Sequence, residues 1–238
     1  MKALILSDVH SNIFALQAIW AREADSDVIV CCGDLVDYGP FPCEVLDWVQ
    51  EHNVRCVQGN HDAWVALNYR QGNTLENVPE AERGWVHYTA SLLHEAQIAF
   101  LESLPKRMAF ELDGIGYGMT HMYRDYNEIV SLYAYEQFRA ETFDGAGLAA
   151  NITRLIMGHT HRQSIRYLSD DLLWLNPGSV SYRRRDDPDQ AAHYATITDG
   201  EISLKQAAYD ITPLYKAIQQ VRLKESEMEQ ANFYFGPR

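Results

Sequence analysis

Five short motifs carry the side chains that could do chemistry in this chain. They are Asp8-Val9-His10, Gly33-Asp34, Gly59-Asn60-His61-Asp62, Thr120-His121 and Gly158-His159-Thr160-His161. Each follows an apolar, β-branched run, where a strand should stop and a loop begin. The donors on offer are Asp, His and one side-chain amide, a hard-to-borderline set suited to divalent cations. Two such ions about 3.5–4 Å apart clamp a phosphoryl group and convert water to hydroxide near neutral pH, and a bridging carboxylate suits the pair. Asp8 and His10, like His159 and His161, are two residues apart, so period-two geometry turns each pair to one side of a strand end. Glycines 33, 59 and 158 precede ligand candidates and allow the close backbone approach of a tight strand-to-loop turn. Alone, each motif is weak, and a lone His121 would more often be structural. The ordered set carries the weight.

The elements that must position these residues are readable as alternating strands and helices. Residues 4–9 read as a first strand, and Asn12 caps a helix to about residue 23 with Ile13, Leu16 and Ile19 on its apolar stripe. Residues 28–32 and 54–58 read as buried strands, with a helix over 44–51 between them. That order implies parallel pairing with right-handed crossovers. Residues 62–107 read as mostly helical, with 91–104 the clearest helix, ended by Pro105. A hairpin is expected over 108–119 with Asp113-Gly114 at its turn. Residues 122–150 form an insertion, helical near 129–139. Strands return at 154–157, 172–175 and 194–198, and Asp199-Gly200 turns into a last strand over 202–207. A final helix near 213–222 precedes a polar tail.

The 238 residues, 47% hydrophobic, suffice for one large α/β core. With 33 acidic against 20 basic residues the formal net charge is −13, which argues against a nucleic-acid groove or an anionic membrane surface as partner. An anionic substrate then needs bound cations to reverse the local sign. There is no signal-peptide pattern and no apolar run of membrane-spanning length. The cysteines, Cys31, Cys32, Cys43 and Cys56, have neither disulfide nor zinc-knuckle spacing, and three of them fall in expected buried strands. A reducing, cytoplasmic setting is the expectation.

The segments Ser7-Asp8-Val9-His10-Ser11-Asn12, Gly33-Asp34-Leu35-Val36-Asp37-Tyr38-Gly39-Pro40 and Asn176-Pro177-Gly178-Ser179-Val180 resemble those of calcineurin-like metallophosphoesterases, in particular their small bacterial and archaeal phosphodiesterase branch. The resemblance covers about residues 1–210 in the family's order. It implies a four-layer αββα sandwich, two mixed β-sheets flanked by helices, with the metals at the rim where strand-end loops meet. It further implies that Asp8, His10 and His161 bind a first ion, that Asp34 bridges, and that Asn60, His121 and His159 complete the second. His61 would contact the phosphate and protonate the leaving oxygen, with Asp62 orienting or charge-tuning its imidazole, and the attacking group would be a metal-activated hydroxide. Manganese is the first expectation for the two divalent ions, then iron, with zinc, nickel or magnesium also compatible with the N/O donors.

A single domain over residues 1–225 is expected, with lid-like insertions near 62–107 and 122–150 and a tail, 226–238, either disordered or docked on a neighbouring subunit of a homo-oligomer. Arg183-Arg184-Arg185 reads by default as a solvated loop countered by Asp186 and Asp187; Arg184 best matches an arginine that the family places near the site. Tyr123 and Arg124, directly after His121, are further substrate-contact candidates, as are Tyr126, Trp64 and Tyr69, although lid packing is the plainer reading of the aromatics. No Gly-x-Ser-x-Gly or cysteine–histidine arrangement competes for the chemistry. The function expected is metal-dependent hydrolysis of a phosphoester in a small phosphorylated substrate, a phosphodiester first. A diadenosine-polyphosphate hydrolase or a phosphoprotein phosphatase is the alternative, and a non-catalytic interaction scaffold a more distant one.

Overall fold

Alternation along β1 (Lys2–Leu6) shows how the layers form. Ala3 and Ile5 point into one apolar cluster, Leu4 and Leu6 into another, as the two-residue period of a strand requires. The structure, a computed structural model, describes residues 1–127, 129–144, 151–182, 184–187 and 189–237. In it β1 pairs in parallel with β2 (Val28–Cys31), which pairs in parallel with β3 (Arg55–Cys56). On its other edge β1 meets β9 (Ala192–Thr198), and β9 meets β10 (Glu201–Ala207), both antiparallel. A second five-stranded sheet runs β4 (Arg107–Leu112), β5 (Ile115–Thr120), β6 (Ile152–Ile156), β8 (Leu173–Asn176), β7 (Ser164–Tyr167). It too is mixed, with β5, β6 and β8 parallel and antiparallel strands at both edges.

The sheets face each other across a core that joins Ala3, Ile5, Val30 and Val57 to Tyr117, Met119, Ile156 and Leu175. Behind the first sheet, Leu4, Leu6 and Cys31 pack on α1 (Ile13–Glu23), α2 (Pro42–Glu51), α3 (Asn60–Arg70) and α5 (Glu95–Ser103). Behind the second, Leu155 and Trp174 pack on α6 (Leu132–Thr142). This is the four-layer αββα arrangement, helices outside two mixed sheets.

Several boundaries differ from expectation for local reasons. The helix expected over 91–104 is two, α4 (Trp85–Leu92) and α5, because the His94 side chain accepts from Gln97 N and starts the second helix. Strand β7 has little apolar signal, being an edge strand with two exposed residues, and the sequence pattern misses it. The described part of the tail is helical and packed: α8 (Glu225–Phe235) sets Ala231 and Phe235 against Trp85 and against Leu214 and Ile218 of α7 (Thr212–Ile218). It docks on its own chain. Among the described residues no helix is long and apolar enough to cross a membrane.

Candidate metal centre

All five motifs lie just beyond the carboxyl ends of parallel strands, the rim where open α/β sheets bind ligands. The loops after β1 and β2 are tied together through Asp8 N to Gly33 O, His10 N to Asp34 O and Ser11 N to Leu35 O, each 3.0 Å. Gly158 N donates to His121 O at 2.9 Å, which joins the loops of the second sheet. Asn176 Nδ2 and Asn127 Nδ2 donate to Gly158 O at 2.7 and 3.0 Å, and Ser179 Oγ to Asp8 O at 2.9 Å. The Asn176–Ser179 stretch therefore braces the motif loops.

Backbone conformation differs from the period-two expectation. β1 ends at Leu6, and Asp8 and His10 have φ of 53° and 45°; His159 and His161 have φ of 66° and 59°, and Asp34 55°. These are left-handed conformations outside the strands, so each pair converges through a coiled turn, not along an extended chain. Non-glycine residues there cost about 1–3 kcal/mol each and persist where the surroundings over-determine them. Two glycines are required by crowding: a Cβ at Gly59 would fall on Asp34, and one at Gly158 on Ser7 Oγ, with Asp8 Oδ2 2.9 Å away.

Two groups of donors result, Asp8, His10 and His161 in one and Asp34, His121 and His159 in the other, with the ligand atoms of each group within 4.8 Å of one another. Asp34 Oδ2 lies 3.2 Å from His121 Nε2 and 3.8 Å from His10 Nε2, so one carboxylate reaches both groups. Asn60 Oδ1 stands 3.0 Å from His121 Nε2 and 3.1 Å from His159 Nδ1, beside the second group. Hydrogen bonds fix ring orientation: His121 Nδ1 faces Cys32 O at 2.6 Å and His161 Nδ1 faces Tyr182 O at 2.9 Å, which turns both Nε2 atoms inward.

The donor set fits divalent cations. His10 Nε2 and His161 Nε2 face each other at 3.4 Å in a buried site, and two lone pairs so placed call for a proton or a metal between them. Without metal, protons serve in part. Burial alone would lower the His121 pKa, but the charge and hydrogen bond of Asp34 raise it to about 10. Burial would raise Asp34, yet the charges of His121 and His61 hold it well below the usual carboxylate range. Asp8, raised by burial and lowered more by His161, comes down to about 2. Burial drives His10 well below the ordinary imidazole value.

His61 sits beside these groups, its ring centroid 5.0 Å from that of His10. Its partner corrects one expectation. His61 Nδ1 lies 2.6 Å from Asp37 Oδ2, and Asp37, not Asp62, orients the imidazole. Burial lowers the His61 pKa, but Asp34 and then Asp37 raise it above the ordinary value. Asp62 is fully buried, and its oxygens accept from Asp34 N (2.9 Å), Leu35 N (2.8 Å), Val36 N (3.3 Å) and Gly59 N (2.9 Å). It pins the Asp34 loop to the start of α3. Burial and the Asp34 charge push its pKa up to about 6, against the pull of the Gly59 and Val36 N–H groups. Asp37 had a signal in the sequence, a second acid three residues after Asp34 and just before the Gly-Pro turn.

Three of the substrate-contact candidates, Arg184, Tyr123 and Arg124, make contacts within the chain, whereas Trp64 and Tyr126 are exposed. Arg184 donates from Nε to Thr160 O and from Nη2 to His159 O, both 2.9 Å, and so caps the last ligand loop. Arg183 lies outside the described residues. Tyr123 Oη donates to Glu141 at 3.0 Å, its ring packs edge-on to Phe138, and the Arg124 guanidinium lies 5.0 Å over it. These two belong to the packing of the insertion. Tyr182, which had no sequence signal, stands 4.5 Å from His161 and 5.0 Å from His10 and carries Tyr234 of α8 at 4.6 Å.

The family model for the calcineurin-like phosphoesterase superfamily domain matches residues 1–199. The chain belongs to this superfamily. The calcineurin-like chain is 27% identical to an uncharacterized protein, MJ0912, of Methanocaldococcus jannaschii over 93% of each. Among solved structures it is similar to a metallophosphoesterase from Sphaerobacter thermophilus, with 26% identity, TM-score 0.71 and full coverage of both chains. The fold also matches a hypothetical protein, PH1004, of Pyrococcus horikoshii at 15% identity and TM-score 0.75, over 100% of this chain and 99% of that one. Superfamily membership and the two donor groups agree on metal-dependent phosphoester chemistry.

Proposed function

We propose that this chain is a two-metal phosphodiesterase acting on a small phosphorylated substrate, with manganese as its working ion. The observation that carries the reading is the reach of Asp34 Oδ2 to both donor groups, with the His61–Asp37 pair alongside. Asp8, His10 and His161 would hold one ion, Asn60, His121 and His159 the other, and Asp34 both. When bound, such a pair supplies charge for the phosphoryl oxygens and lowers the pKa of water. The chain's own contribution is a protonated imidazole: Asp37 holds His61 Nδ1–H, and Nε2–H is the proton offered to the departing ester oxygen.

Two cavities support a diester over a monoester, since a diester has two arms to seat. One of about 150 Å³ opens beside His61 and Asp37; another of about 310 Å³ lies beside Asn60 and His121, with Lys106 in its wall. A dinucleoside polyphosphate would need extra cationic contacts, and the guanidinium of Arg184 already donates twice to backbone. The experiment is hydrolysis of bis(p-nitrophenyl) phosphate and of p-nitrophenyl phosphate by metal-stripped and Mn²⁺-loaded protein. Metal-dependent cleavage with the diester faster is expected. Faster cleavage of the monoester, or none of either, would refute the reading.

A further inference from the structure

The cavity beside His61 is walled by four separate stretches. Asp37 and Tyr38 follow β2, His61 and Trp64 lie on α3, Gly84 and Trp85 open α4, and Lys224 and Glu227 start α8. Most of this wall therefore comes from the lid and the C-terminal helix, not from the loops that carry the metal donors. Trp64 is 50% exposed although its indole stands edge-on to the His61 imidazole, ring centroids 4.8 Å apart. An indole left half in water beside a cavity offers a stacking surface to a ligand. Tyr38, 4.9 Å from the same imidazole, and the buried Trp85 complete an aromatic lining.

The charges in the cavity do not suit an anion. Lys224 is paired with Glu227 at 3.5 Å, and Glu82 adds a further negative group to the wall. The first turn of α4 would ordinarily attract an anion. The Gly84 N–H there already donates to His87 Nδ1 at 3.0 Å, and the Glu227 carboxylate stands close by, with Oε1 3.2 Å from where a Cβ on Gly84 would stand. A phosphate entering here would meet three carboxylates, Asp37, Glu82 and Glu227, against one paired lysine and the His61 imidazole that Asp37 already engages.

We propose that this cavity is the leaving-group subsite and that it takes an uncharged planar alcohol, such as a nucleoside or an aryl alcohol, while excluding one that carries further anionic groups. The inference rests on the phosphodiesterase reading given above. In that reaction the oxygen of water bonds to phosphorus and one of its protons passes to solvent, the ester P–O bond breaks, and the departing oxygen takes the proton from His61 Nε2, which solvent then replaces, and leaves as the alcohol. The group borne by that oxygen is thereby set beside His61, against Trp64 and Tyr38.

The test compares two methyl phosphodiesters with leaving alcohols of similar acidity, phenol and hexafluoroisopropanol, in Mn²⁺-loaded wild-type and Trp64→Leu protein. The variant should lower kcat/KM for the phenyl ester about tenfold, a stacking loss of about 1.4 kcal/mol, and alter the fluoroalkyl ester by less than about twofold. A phenyl ester with a carboxylate on the leaving ring should react about tenfold more slowly in the wild type, and Glu227→Gln should recover part of that loss. Equal slowing of both esters by Trp64→Leu, or slowing of neither, would overturn the subsite while the wild-type hydrolysis upholds the phosphodiesterase. No hydrolysis by the wild type would overturn both. Independently of turnover, saturation-transfer NMR should detect adenosine on the metal-free wild type and not on Trp64→Leu; no transfer to the wild type would count against the subsite.

Discussion

Asp62→Ala should unfold the metal centre from beneath rather than detune its histidine. The Asp62 carboxylate is fully buried and accepts four backbone N–H groups at 2.8–3.3 Å, three from the Asp34 loop and one from Gly59. A buried donor left unsatisfied costs about 1–3 kcal/mol. At the lower end, four donors amount to about 4 kcal/mol, a large share of the roughly 5–15 kcal/mol that holds a domain together. Asp62→Asn keeps one acceptor oxygen but sets an amide N–H₂ against the remaining donors, so about half that loss is expected. Urea unfolding of the metal-free variants at neutral pH, compared at equal m-value, measures the difference. Asp37→Asn, which retains an acceptor for His61, should shift stability by less than about 1 kcal/mol on the same assay. If Asp62→Ala were within about 1 kcal/mol of the wild type while its pH–rate profile moved, Asp62 would be acting on His61 and the bracing role would be refuted.

Asp37→Asn should lower kcat by about 10–100-fold with metal content unchanged. Because Asp37 raises the His61 pKa and the protonated imidazole is the active form, the alkaline limb of the rate profile should move to lower pH; an unchanged profile would contradict the pairing. With His121 near pKa 10 in the metal-free protein, metal uptake at pH 8 must expel about one proton, and affinity should rise with pH; calorimetry in buffers of different ionisation enthalpy reads the number, and no buffer dependence would contradict it. The same raised pKa means that the His121–Asp34 pair stabilises the metal-free fold fully below about pH 6.5 and loses that contribution as pH rises through about 10, a decline in Tm that His121→Ala should flatten. Gly158→Ala should cost metal binding as well as stability, since its Cβ would displace Ser7 and crowd Asp8; normal metal content in that variant would count against the close packing of the two loops.

Much of the fold and the location of the centre could be read from residues, though not always for the right reason. Apolar runs at 28–32 and 194–198 announce buried strands, and the Asn12 cap places α1 at its observed start. The edge strand β7 lacks such a run because an edge buries little. Glycine before Asp34, Asn60 and His159 flagged the crowded turns, whereas convergence of Asp8 with His10 came from left-handed backbone that no spacing rule conveys. Asp62, expected beside His61, is replaced there by Asp37 because adjacency in sequence is not adjacency at a helix start. Asp62 lies in the first turn of α3 and points back to the N–H groups of the Asp34 loop, while Asp37 reaches His61 from another loop. The docking of α8 on α7 and Trp85 depends on contacts between distant segments, which no local pattern shows.

The central claim is a pair of ions bridged by Asp34. A crystal structure of Mn²⁺-loaded protein with anomalous scattering at the manganese edge tests it directly. The expected result is two peaks about 3.5–4 Å apart, both within bonding distance of Asp34, one beside Asp8, His10 and His161 and the other beside Asn60, His121 and His159. A single peak, or two peaks that do not share Asp34, would contradict the account.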